Sequence, residues 1–301
     1  MKGLREKIKN LKHIVPISYV AFFIAAFFVF LALTFPGDVV KSRVISEIQN
    51  STPYNVEIQT ADISVPFNIN LKGVTIHKSR TQSIELDSVS VKPSIFSVFS
   101  DTPNVPFTAK LHGGQVVGSI KINKSNGKIH ELKADIKNVR VNEIPNLLSK
   151  SGNSEIAIHG QLMGELDVVF EPAPQGDFNF VVHGLAFDNL KVKGMKLPSL
   201  SNLTSNFNGN IANELTNIDE LSITGDGIDI QIAGTAPLLW ETSQGGILDL
   251  GYRVEITDND LAKYKTFLSP YLAKHRDGSL GGKIMGTVTN PRFEKDSVKI
   301  R

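Results

Sequence analysis

Residues Glu155–Glu171, with the sequence EIAIHGQLMGELDVVFE, alternate between two kinds of side chain. The even-numbered positions carry Ile, Leu, Val, Phe or Gly, whereas most of the odd-numbered positions carry polar or charged side chains. A period of two is typical of a β-strand that buries only one of its faces. The stretch therefore predicts extended structure with one apolar face.

The same alternation recurs along most of the chain beyond Tyr54. It predicts about twelve to sixteen antiparallel strands and only two or three short helices. Two helices are expected within this region, over residues 142–149 and 258–274, the second with Asp258 or Asn259 as its N-cap. The window Asn202–Ala212 is the most polar one, so a loop or an edge strand is expected there.

The apolar faces of these strands have to be covered, and the predicted helices are too few to cover a sheet of this size. Two sheets could pack face to face as a sandwich, or one sheet could close into a barrel. A strongly bent sheet could also form a half-pipe whose apolar inner surface holds lipid acyl chains. The predicted fold class is a mainly β, elongated and strongly bent antiparallel domain, either half-pipe or sandwich, that follows a single transmembrane helix.

That transmembrane helix is predicted from residues 14–35, a stretch of 22 residues without a charge. About 20 apolar residues suffice to cross a bilayer, and this run is too long for a signal peptide and lacks a good cleavage site. The basic residues before it place the tail 1–13 in the cytoplasm. Residues 36–50 are expected to form a juxtamembrane amphipathic helix, with residues 51–301 as a periplasmic β domain.

Composition and motifs argue against several classes of function. The chain has 32 Lys and Arg against 30 Asp and Glu, and it has no cysteine. A disulfide scaffold, a thiolate metal site and a cysteine nucleophile are therefore excluded, and no basic, aromatic-rich patch suggests nucleic acid. No zinc-binding helix motif, nucleophile elbow or phosphate-binding loop is present. The chain is expected to be neither an enzyme nor a metalloprotein and to need no cofactor, and phospholipid is the bound ligand that the sequence leaves open.

Several short motifs of this chain are similar to motifs found in the members of a known family. They are the Phe35-Pro36 end of the apolar run, VVKSRVI at residues 39–45, LKGVTI at residues 71–76 and IMGTVTNPRF at residues 284–293. In this order and over nearly the full length, the chain resembles the type II secretion system protein N family (GspN) in its long form. It also resembles the wider AsmA-like group of envelope proteins from Gram-negative bacteria.

The resemblance implies an inner-membrane protein whose periplasmic β domain accompanies the type II protein secretion machinery. The expected role is structural, through contacts with other secretion-system envelope proteins. The AsmA-like group implies the alternative, a lipid-binding or lipid-transfer module that uses an apolar β groove. The residues expected to line such a groove are Ile156, Ile158, Leu162, Leu166, Val168, Phe170, Phe178, Phe180, Val182, Ile228, Ile230, Ile232, Leu250, Tyr252 and Val254.

Overall fold

The computed structural model of the chain describes residues 22, 23, 26, 37–51, 55–64, 68–79, 82–94, 100–141, 157–189, 191, 192, 195, 196, 198–238, 246–258, 261, 273–275, 278–288 and 290–295. Helix α1 (Gly37–Ser51) opens this part of the chain, and strands follow it. The strands are β1 (Asn55–Ser64), β2 (Asn68–Ser79), β3 (Gln82–Val91), β4 (Asn104–Leu111), β5 (Gly114–Ile122), β6 (Ile129–Arg140), β7 (Ala157–Val169), β8 (Gln175–Asp188), β9 (Lys191–Val192), β10 (Met195–Lys196), β11 (Leu200–Ala212), β12 (Leu215–Gly225), β13 (Ile228–Pro237), β14 (Ile247–Ile256), β15 (Ala273–Lys274), β16 (Leu280–Thr287) and β17 (Asn290–Glu294).

Fifteen of these strands form one open antiparallel sheet. Strands β1 to β8 pair in chain order, β11 pairs with β8, and the order continues through β14 to β16. The short strands β15 and β17 pair with different parts of β16, on the side away from β14. Strands β9 and β10 form a separate small hairpin. The predicted mainly β, antiparallel fold is confirmed, and the strands form one large sheet instead of the two sheets of a sandwich.

Helix α1 covers the outer edge of the sheet at β1. The Lys41 Nζ donates a hydrogen bond to the main-chain carbonyl of Gln59 at 3.3 Å, and Gly37 lies against the main-chain carbonyl of Ala61. Val44 and Ile45 pack against the buried cluster of β1 and β2. A helix is thus observed at Gly37–Ser51, one residue from the predicted range 36–50, and Val44 and Ile45 lie on its packed side.

The most polar window of the sequence is an interior strand, so the prediction of a loop or edge strand there is wrong. Strand β11 lies between β8 and β12. Its asparagines project to the polar face, where the Asn206 amide donates to Ser222 Oγ and the Asn217 amide donates to Asn210 Oδ1. Cross-strand hydrogen bonds satisfy these amides, so the polar composition of β11 does not prevent it from lying inside the sheet.

The predicted helix 258–274 is correct at its start and wrong at its end. The Asp258 carboxylate accepts a hydrogen bond from the Leu261 N–H at 2.9 Å, which is the geometry of an N-cap. Ala273 and Lys274, in contrast, form β15 and pair with Gly281 and Leu280. Pairing with the otherwise open edge of β16 satisfies backbone groups that a helix end would leave without partners.

Two other predicted segments fall mostly or wholly outside the described residues. The helix predicted over 142–149 is one of them. Of the predicted anchor 14–35, Phe22, Phe23 and Ala26 are described and helical, and both phenylalanines are exposed. Among the described residues, no helix has the length and apolar character needed to cross a membrane.

Leu203 on β11 is the clearest test of the packing, because only 1% of its surface is exposed within a cluster that includes Leu185 and Ile256. We expect Leu203→Ala to lower the free energy of unfolding by about 2–5 kcal/mol, since it removes buried contacts and leaves a cavity. Ile247→Ala is the control, because Ile247 is 72% exposed, and a change within about 0.5 kcal/mol is expected. Urea denaturation of the full chain in mild detergent measures both. Equal losses of unfolding free energy in Leu203→Ala and Ile247→Ala would contradict this description of the core.

Candidate functional site

One face of the sheet carries apolar side chains in rows that run perpendicular to the strands. In the first row, each residue lies directly opposite the next across a strand pair, and every member is apolar or glycine. The first row consists of Ile63, Ile69, Val91, Phe107, Gly118, Ala134, Leu166, Phe178, Gly209, Ile218, Gly234, Leu250, Ile284 and Phe293. The row extends from β1 to β17 without a polar residue.

A second row runs beside the first on the same face. It consists of Ala61, Leu71, Val89, Ala109, Val116, Ile136, Gly164, Phe180, Phe207, Leu221, Ile232, Tyr252 and Gly282. The rings of Phe178, Phe180 and Phe207 pack together across the two rows, with centroids 4.8 to 6.2 Å apart. We call the surface formed by these two rows and their same-side neighbours the apolar face.

The structure places the predicted groove residues together on this face. Leu166, Phe178 and Leu250 belong to the first row, and Phe180, Ile232 and Tyr252 to the second. A third row contains Leu162, Val182, Ile230 and Val254. The remaining members lie at the margins: Ile158 opposite Phe187, Val168 opposite Leu132, Ile228 opposite Ile256, and Phe170 in the cluster around Val168. Ile156 lies outside the described residues.

Sequence reasoning missed the half of the apolar face that strands β1 to β6 contribute. Phe107, Val116 and Ile136 belong to the same rows as the predicted residues. Their alternation was visible in the sequence, but no local signal shows that separate strands align in one register. Phe207 was missed because it lies between asparagines in the polar window.

The apolar face is more deeply buried beside α1 and from β8 to β14 than it is from β3 to β7. Helix α1 packs on the face at β1 and β2, and Leu238 and Leu261 are buried among residues from the C-terminal half of the sheet. From β3 to β7 the side chains of both rows, such as Val91, Phe107 and Val116, are only half-buried. We call this part the open stretch. It is the part of the described apolar face where a ligand could contact several rows at once.

Local distortions interrupt the ladder on neighbouring strands. The register shifts beside Asn138 on β6, Gly184 on β8 and Asn202 on β11, and these residues have φ values of 54°, 60° and 53°. Positive φ suits glycine and, among other residues, asparagine best. β-bulges bend a strand and increase its local twist. The apolar residues on either side of these register shifts remain on the same face.

Tyr252 contributes a polar group to the apolar face. Its side chain is 6% exposed, and its hydroxyl has no hydrogen-bond partner among the described residues. Burial raises the pKa of Tyr252, so the group stays a neutral phenol. The hydroxyl lies beside Gly282, and the ring meets Phe293 edge-on at 6.2 Å between centroids. A buried hydroxyl without a partner is costly, and a ligand oxygen would relieve that cost.

The opposite face is polar and carries a network of ion pairs. Glu131 lies between Lys121 Nζ at 2.5 Å and Lys133 Nζ at 3.3 Å, and Lys133 also contacts Asp167 at 2.7 Å. The hydrogen bond from Lys121, supported by Lys133, holds the pKa of Glu131 below its ordinary value although burial opposes this shift. The hydrogen bond from Lys133 to Asp167 raises the pKa of Lys133, and its hydrogen bond to Glu131 adds a smaller rise. These pairs link β5, β6 and β7 in the observed register.

A shallow depression of about 470 Å³ crosses β5 to β8 and is lined by residues 117–119, 133–135, 165–167 and 177–179. The lining includes Gly118, Ala134 and Leu166, which are first-row residues of the open stretch, and Phe178, the next residue of that row. Within the described residues, no group of three or more His, Asp or Glu side chains is placed to hold a metal ion.

Comparison of this chain with protein-family models, with curated proteins and with solved structures gives no match.

The network around Glu131 predicts a pH-dependent contribution to stability. Because the folded-state pKa of Glu131 is lowered, its stabilising effect is present above the ordinary pKa of 4.5 and is lost as the pH falls through the folded-state pKa. We expect Glu131→Gln to cost about 1 kcal/mol near neutral pH and progressively less below pH 4.5. Urea unfolding at several pH values measures this. Asp249→Asn, at an exposed position on the same face, is the control, and a pH-independent cost of Glu131→Gln would contradict the prediction.

Proposed function

We propose that this chain is an envelope protein whose apolar face binds the acyl chains of phospholipid. The observation that carries the proposal is the first apolar row, which crosses the sheet without a polar residue and is only half-buried from β3 to β7. Soluble surfaces rarely expose large contiguous apolar patches unless they bind something. Acyl chains need no hydrogen bonds, and the two rows of the open stretch carry no polar side chain.

The bulges at Asn138, Gly184 and Asn202 support a half-pipe as the shape of the binding surface. A bent sheet surrounds an acyl chain on more than one side and removes more of its surface from water, at roughly 25 cal/mol for each Å². These features favour a lipid molecule over an apolar peptide.

The position of α1 fits a protein anchored in the inner membrane through residues 14–35. The helix begins at Gly37, directly after that predicted span, and packs on the apolar face at β1 and β2. In this proposal the covered end of the sheet lies at the membrane and the open stretch extends into the periplasm. Lipid carried along the rows would be shielded from water between membranes.

A second candidate is a structural role in the type II secretion envelope, as the resemblance to the protein N family suggests. The motif LKGVTI lies in β2, and IMGTVTNPRF forms the hairpin of β16 and β17, so the family-like motifs occupy the two ends of the sheet. Ends of a sheet are where another β domain could attach. This role does not require lipid on the apolar face.

Val116 and Val117 give a matched test, because they are neighbours on β5 that face opposite sides of the sheet. We expect a photo-crosslinking amino acid at position 116 to capture phospholipid in intact membranes, since Val116 lies in the open stretch. The same residue at position 117, on the polar face, should capture at most about a tenth as much. Mass spectrometry of the purified, crosslinked full chain measures both yields.

Equal or negligible lipid capture at both positions would reject lipid binding by the apolar face. If the residue at position 116 instead captures a secretion-system protein, the structural role gains support and the lipid proposal fails. Lipid extraction of the untreated chain in mild detergent is the independent check, and a lipid-free, monodisperse protein would agree with rejection.

A further inference from the structure

The two edges of the large sheet differ. The β1 edge is covered by α1, which contacts the outward carbonyls of Gln59 and Ala61. At the other edge, all five residues of β17 are exposed, and the Phe293 ring is 64% exposed although it ends the first apolar row. An uncovered edge strand offers main-chain hydrogen-bonding groups to another strand.

The groups that β17 offers can be assigned from its pairing with β16. The carbonyl oxygens of Asn290 and Glu294 point towards β16, where they lie against Gly286 and Gly282. Because backbone groups alternate in direction along a strand, the main-chain groups of Pro291 and Phe293 point outward. Proline lacks an N–H, and its place at an outward position of an edge strand leaves no ladder bond to β16 unmade.

We propose that β17 is a dimerisation strand that pairs antiparallel with β17 of a second copy, in a register centred on Phe293. The two-fold axis then passes between the two Phe293 residues, which exchange both of their outward main-chain hydrogen bonds. The N–H of Lys295 meets the carbonyl of Pro291 in the other copy. An interface of this kind is isologous, because each copy uses the same surface.

Charge complementarity selects this register. When Phe293 lies opposite its own copy, Arg292 lies opposite Glu294 of the other chain, and this pair occurs twice by symmetry. Arg292 and Glu294 both project to the polar face, where opposite charges on facing strands stabilise the pair. Shifting the register by two residues in either direction loses both of these pairings, because Arg292 or Glu294 then lies opposite its own counterpart, and it separates the phenylalanines.

The apolar face gives a second reason for a copy of the same chain. Residues directly opposite in an antiparallel pair project to the same side, so the first apolar row of one copy continues through Phe293 into the first row of the other. The exposed Phe293 ring, next to Tyr252 at 6.2 Å, would be covered by its counterpart. The interface therefore covers the exposed end of the row without a new polar group on the apolar face.

The test uses the full chain in mild detergent and two charge-reversal variants, Arg292→Glu and Glu294→Arg. The unmodified chain is expected to sediment as a dimer at micromolar concentration. Each variant alone places like charges opposite each other twice, and its dimer dissociation constant should rise about tenfold or more. A mixture of the two variants restores both pairs between unlike chains, so heterodimers should form with an affinity near that of the unmodified chain.

Lys137→Glu is the matched control, because it reverses a charge in an exposed ion pair with Asp135 on β6 and should leave the dimer unchanged. Circular dichroism of each variant verifies the fold. A full chain that stays monomeric, or a dimer that both reversals leave intact, would overturn the proposal. A mixture that fails to form heterodimers would also overturn it, since the proposed register requires the two variants to restore both charge pairs.

Discussion

Cross-strand hydrogen bonding in a fixed register is the constraint on which the rest of this structure depends. Side chains along a strand alternate between faces, so a slip of one residue would move every side chain of that strand to the other side of the sheet. The first apolar row spans strands from β1 to β17, and it stays apolar only because each pairing keeps its register. On the polar face, the ion pairs of Lys121 with Glu131 and of Lys133 with Asp167 help to maintain the register of β5, β6 and β7.

The alternation of residues such as those in Glu155–Glu171 predicted the strands and the side to which each side chain projects. It did not predict which strands are neighbours, because periodicity is local and pairing is not. The polar window 202–212 shows the limit: its asparagines suggested exposure, yet they find partners such as Ser222 across the sheet. Ala273 and Lys274 were assigned to a helix because the edge of β16 with which they pair lies later in the chain.

Only part of the candidate site was predicted, again because periodicity is local and strand pairing is not. Residues such as Leu166, Phe180 and Ile232 were identified by their apolar periodicity, and they lie on one face. The half-buried middle of that face, around Phe107 and Val116, follows from where α1, Leu238 and Leu261 pack. Those contacts join distant parts of the chain, and Tyr252 illustrates the point, because only its surroundings show that its hydroxyl has no partner among the described residues.

The placement of α1 against β1 has a consequence for assembly. A β-sheet with two open edges behaves as a monomer with two reactive ends, and such monomers can add to one another without limit into fibres. Helix α1 already contacts the Gln59 and Ala61 carbonyls, so among the described residues the β1 edge is less accessible to another copy than the exposed β17 edge. In the proposed dimer, growth by strand addition between copies therefore terminates after a single step. A long, regular sheet that would otherwise be prone to polymerise is limited to a species of finite size.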